Sequence, residues 1–145
     1  MISVRRTVLA VLSAWHGLAA VKNACDLCAA FGIVPAAARF GSRNFAAMEK
    51  LLAPLRLPRA VLGVLLAGVI AVEASAAVAF ARDDDEMAFA LSFALFGSFA
   101  VIDEAMADYE LDETHREILV LVLLAYLVVA RLPRDPSSKN DPDSH

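Results

Sequence analysis

Ala60-Val-Leu-Gly-Val-Leu-Leu-Ala-Gly-Val-Ile-Ala-Val-Glu73-Ala-Ser-Ala-Ala-Val-Ala-Phe-Ala81 runs for 22 residues with Glu73 as its only ionisable side chain. A hydrocarbon core about 30 Å thick is crossed by about 20 helical residues. The segment therefore reads as a membrane span, and the rest of the chain repeats the theme. Apolar stretches also run from Thr7 to Phe31, from Met87 to Ile102 and from Ile118 to Ala130, with charge collected between them. The sequence predicts an all-α, polytopic integral membrane protein: a four-transmembrane-helix bundle forming one domain over residues 1–132, then a disordered polar tail over 133–145.

Composition supports this. Of 145 residues 59% are hydrophobic, and the mean hydropathy of +0.61 is well above that of a soluble domain of this size. The first stretch is too long for a signal-peptide core and is broken by Trp15, His16, Lys22 and Asn23, so it reads as a retained helix. The fourth has only 13 uninterrupted apolar residues, but His115, Arg116 and Glu117 before it and Arg131 after it can snorkel to the interface. A net charge of −4 speaks against nucleic acid, whose phosphates call for clustered Lys and Arg.

The links carry their own signals. Between the first and second spans, Phe45, Met48, Leu52 and Leu55 recur at helical spacing beside Arg43, Glu49, Lys50 and Arg56, the pattern of an interfacial amphipathic helix or of a connecting helix packed on the bundle. Ser42 is placed to cap it. Arg82-Asp-Asp-Asp-Glu86 is short enough to force an antiparallel hairpin, with its aspartates as helix caps. Thr114-x-x-Glu117 has the form of a capping box, which starts the fourth helix at Thr114. Four spans put both termini on one side of the membrane, a bacterial-type inner membrane in this reading. The positive charges tie at six per face: Arg5, Arg6, Arg82, Arg131, Arg134 and Lys139 against Arg39, Arg43, Lys50, Arg56, Arg59 and Arg116.

Polar residues within the spans are the candidate site. His16, Asn23 and Asp26 lie close to one helical stripe, with Lys22 spaced to pair with Asp26. Asp103 and Glu104 end the third span on the same face of the membrane, where the two helices are expected to share a polar pocket. An ionised Glu73 at mid-span costs several kcal/mol, so it requires a partner or a proton, and His16 is the expected partner. Arg43, Asn44, Tyr109, Glu110 and His115 surround that face and complete the candidates. Haem is disfavoured because His16 and His115 sit at different depths, and a di-iron centre because Glu-x-x-His repeats are missing; no metal site is expected. Cys25-Asp-Leu-Cys28 has the spacing of thiol-disulfide exchange pairs, but spacing alone is weak evidence and two small residues packed at a helix interface is the favoured reading.

Gly17-Leu-Ala-Ala-Val-Lys22, then Gly41-Ser-Arg-Asn-Phe45, then Leu57-Pro58 leading to a span with Glu73, followed by two more spans, resembles the layout of the DoxX-like superfamily over about residues 5 to 132. That resemblance implies a four-helix bundle and a link to redox or sulfur metabolism. DoxD-like members belong to a thiosulfate:quinone oxidoreductase, and MauE-like members assist maturation of a disulfide-rich enzyme. The leading expectation is an accessory or structural subunit of a membrane redox complex, partnered by lipid and by other membrane subunits or further copies of itself. The alternative is a quinone-linked thiol oxidoreductase using Cys25 and Cys28. A third reading is proton or small-molecule transport through an oligomer.

Overall fold

The computed structural model describes residues 3–107 and 109–133, and the side chains of 109–112 are outside what is described. The expected tail therefore lies outside the described residues, apart from Pro133. The described residues are all-α and form five helices, α1 (Val4–Ala30), α2 (Asn44–Leu51), α3 (Arg59–Ala81), α4 (Asp85–Met106) and α5 (Tyr109–Arg131), with short 3-10 turns at Ala36–Arg39 and Ala53–Leu55.

Three of these helices, α1, α3 and α4, are long and apolar enough to cross a membrane, with mean hydropathies of 1.3, 2.3 and 1.5. The same windows bury only 22–28% of their residues within the chain, so most of their apolar surface faces outward. Water would penalise that arrangement heavily, whereas lipid tails match it. α5 is as long as α3, but Asp112, Glu113, Arg116 and Glu117 charge its first half.

Helix ends explain the turns. α1 closes with Gly32 at φ 74°, the Gly32 N–H reaching Ala29 O and the Ile33 N–H reaching Cys28 O at 2.8 Å. This is a Schellman ending, which needs a left-handed residue and so favours glycine. α3 ends with the same bonds around Asp83, φ 64°, and the Asp84 carboxylate then accepts from Met87 N–H to start α4. The acidic link is thus a hairpin with an aspartate cap, as its sequence predicts.

Two cap readings are corrected. α5 begins at Tyr109, so Thr114 lies within the helix rather than ahead of it. Ala107, left-handed at φ 55°, ends α4, and Asp103 with His115 and Glu104 with Arg116 tie the two helices together directly after the turn. Both ties are made by residues more than a turn into α5, His115 and Arg116. Ser42 is likewise no cap: α2 starts after Arg43, and Ser42 is buried with no hydrogen-bond partner for its hydroxyl among the described residues. Its place as acceptor is taken by Asp26 of α1, whose Oδ2 accepts from Phe45 N–H at 2.8 Å.

Packing follows chain order. α1 packs antiparallel on α3, α3 on α4 and α4 on α5, and a smaller contact returns α5 to α1. One core joins Leu9, Ala76, Phe80, Phe89, Leu95 and Val122; a second joins Phe45, Leu62 and Leu66, with Met48 and Leu52 against it. α2 therefore turns its apolar face onto the bundle.

Candidate functional site

Antiparallel pairing of α1 with α3 sets which polar groups meet. The register brings Phe31 to Gly63, Asn23 to Glu73 and Ser13 to Ala77, where the Ser13 hydroxyl donates to Ala77 O at 2.8 Å. Asn23 Nδ2 donates to both Glu73 oxygens, at 3.1 and 2.9 Å, and its own Oδ1 accepts from Asn44 Nδ2 at 2.5 Å. A hydrogen-bonded row thus links a buried carboxylate at mid-span, through α1, to an exposed asparagine at the start of α2.

The expected Glu73–His16 pair does not form. Those residues stand about 10 Å apart along α1 by register, because Glu73 meets Asn23, two turns from His16. His16 is 1% exposed and contacts Ser92 of α4, Nε2 to Oγ at 3.0 Å. Ser92 donates its hydroxyl proton to Ala88 O at 2.9 Å, so its oxygen accepts from His16 Nε2–H. The imidazole is boxed by Phe80, stacked at 5.7 Å, and by Phe96, which itself stacks on Trp15 at 5.6 Å.

Asp26 forms the third group and is fully buried. Besides capping α2 it faces Arg39 Nε at 3.5 Å, so the expected Lys22 pairing gives way to partners from the connection. Among the described residues Asp26 Oδ1, Arg39 Nε and Ser42 Oγ have no hydrogen-bond partner. Asp103 and Glu104 do not join α1 in a shared pocket. Asp103 turns to His115 and Glu104 to Arg116, binding α4 to α5. Arg43 is exposed, Asn44 belongs to the row above, and the side chains of Tyr109 and Glu110 lie outside the described residues. Cys25 and Cys28 are free thiols, each half-buried on α1.

At the far end of the bundle is a group that sequence reasoning passed over. Arg5, 3% exposed, reaches Asp83 at 2.6 Å and Asp85 at 3.2 Å, locking the start of α1 to the α3–α4 turn. A cation five residues into the chain and an Asp-Asp-Asp run in the link were the available signal; their opposite charges at one end of an antiparallel pair invite pairing. Ser92 and Arg39 were missed for lack of any such signal.

Two shallow grooves mark the surface, one bordered by Ala74, Val78, Arg82 and Met87, the other by Glu49, Leu52, Arg56 and Arg59; Glu73 borders neither. Chemically, the buried polar residues are arranged to bond helix to helix. Set against known proteins, the chain matches no family model, no curated protein and no solved structure.

Proposed function

We propose that this chain is a four-span integral membrane protein with both termini on one side, and that it serves as an accessory subunit of a membrane redox complex. The observation that carries the accessory role is the use of the intramembrane polar groups. Glu73 is held by Asn23, and His16 by Ser92, in bonds between neighbouring helices, the use expected of interhelical glue. What the protein offers outward is apolar. α5 buries Val122 and Val129 while exposing Val120, Leu121, Leu124, Leu127 and Val128, a surface suited to lipid or to a neighbouring span. The small-residue runs Ala71 to Ala81 and Ala88 to Gly97 allow close helix approach. The redox association rests on the DoxX-like layout.

Purification in mild detergent from the native membrane, with differential thiol labelling and mass spectrometry of copurifying proteins, tests the reading. A reproducible complex in which Cys25 and Cys28 stay free supports the accessory role. A lone protein whose two thiols cycle between free and disulfide-bonded with the state of the quinone pool replaces it with the thiol oxidoreductase.

A further inference from the structure

The connection between α1 and α3, taken with Arg59 at the start of α3, holds Arg39, Arg43, Lys50, Arg56 and Arg59 against one carboxylate, Glu49. Two of the cations are engaged within the protein: Arg39 faces Asp26, and Arg59 pairs with Glu49 at 3.0 Å while lying over the Phe31 and Phe45 rings. Arg43, Lys50 and Arg56 are exposed, and their side chains form no ion pair or hydrogen bond among the described residues. The acidic turn between α4 and α5 lies at the same end of the bundle; Asp103 and Glu104 there are paired with His115 and Arg116, while Glu113 and Glu117 of α5 are exposed.

Apolar side chains stand out beside these cations. Phe40 is 68% and Leu55 55% exposed, although α2 sends its own apolar residues inward. Phe40 and Arg56 are both left-handed at φ 50°, a conformation unfavourable for side chains of this size. Each of the two closes a 3-10 turn of the connection. The connection's position, where one span ends and the next begins, is the headgroup region, where Phe and Leu can enter the acyl boundary while Lys and Arg reach the phosphates.

We propose that this connection is a binding platform for anionic phospholipid headgroups, with Phe40 and Leu55 entering the acyl boundary and Arg43, Lys50 and Arg56 taking the phosphates. The inference rests on the membrane-spanning reading and adds a ligand class to it. Each cation near an anionic surface contributes about fivefold to binding, so the three together give a preference on the order of a hundredfold.

The test uses the full-length protein and phosphatidylglycerol as probe, scoring its retention over phosphatidylcholine by native mass spectrometry from mixed micelles. The Arg43→Gln/Lys50→Gln/Arg56→Gln variant is expected to lose most of the preference, and an Arg82→Gln/Arg131→Gln variant at the other end to keep it. Equal preference in all three proteins, equal loss in both variants, or displacement by soluble glycerol phosphate at matched concentration overturns the proposal. Carbonate extraction of membranes holding the triple variant separates the two readings: extraction of the protein would count against membrane spanning, not against the headgroup site alone. As a second measurement, Phe40→Trp in a Trp15→Phe background should be quenched more by lipid brominated high on its acyl chain than by lipid brominated near the chain end. Fluorescence insensitive to either lipid would equally contradict the platform.

Discussion

Asp26 caps a helix other than its own: its carboxylate, buried in α1, accepts the Phe45 N–H that opens α2. Local sequence supplies no cap there, since Arg43 and Asn44 make no side-chain bond to the first turn. Asp26→Ala removes the acceptor and leaves Arg39 facing an apolar methyl. We expect it to cost about 1–3 kcal/mol, with Asp26→Asn costing less because its amide oxygen still accepts. Thermal unfolding in detergent reads the loss. Hydrogen exchange should place it in α2, with the amides of Phe45 to Met48 losing protection before those of α3; uniform loss across the bundle would deny Asp26 this local role.

Asn23 and Glu73 should behave as one unit. Replacing Asn23 by Leu strips Glu73 of the donor it is seen to use, and replacing Glu73 by Leu strands the Asn23 amide. Each single change is expected to destabilise by about 1 kcal/mol or somewhat more, and the double change by less than their sum. Additive losses in that cycle would mean that the bond contributes nothing to holding α1 against α3.

Arg5 anchors the opposite end. Arg5→Met should cost about 2 kcal/mol, short of the roughly 3–5 kcal/mol for breaking a fully buried pair, because Asp83 and Asp85 keep partial access to solvent. Arg5→Lys keeps the charge but loses the planar fork that spans two carboxylates, so it should fall between. The comparison is by unfolding midpoint, and a lysine variant as unstable as the methionine variant would assign the effect to the fork alone.

How far the sequence could be read follows from which scale each feature lives on. α3 is legible because an unbroken apolar run has one physical use, and the α3–α4 hairpin because Asp84 caps within its own turn. That Glu73 needs a partner is equally plain. Which partner it takes is not, because the register of two antiparallel helices is set by packing such as Phe31 on Gly63, and no periodicity within a single helix encodes it. His16 and Asn23 lie on the same stripe, and only the register chooses between them. The two misread caps share this cause. Thr114 and Ser42 each satisfy a local pattern, yet contacts from residues distant in sequence, Asp103 to His115 and Asp26 to Phe45, decide where those helices begin.

Gly63 gives that register a test. A Cβ there would sit 2.9 Å from Phe31 Cζ, and the Phe31 ring is itself held by Phe45 at 5.6 Å and by Arg59. Gly63→Val should destabilise by about 1–3 kcal/mol through overpacking. At Gly68 an added Cβ meets open space, and Gly68→Ala should be neutral or stabilising by up to about 1 kcal/mol. Equal effects at the two glycines, measured by thermal unfolding in the same detergent, would argue against the close approach of α1 and α3.

The proposed topology requires that α5 cross the membrane as a fourth span. Single cysteines placed in a Cys25→Ser/Cys28→Ser background, as Ser3→Cys, Lys50→Cys, Arg82→Cys, Ala107→Cys and Pro133→Cys, can be labelled in intact cells or sealed vesicles with a membrane-impermeant maleimide. Positions 50 and 107 should react from one side and positions 3, 82 and 133 from the other. Labelling of position 133 from the same side as position 107 would contradict that topology, leaving α5 on the membrane surface and the chain with three spans.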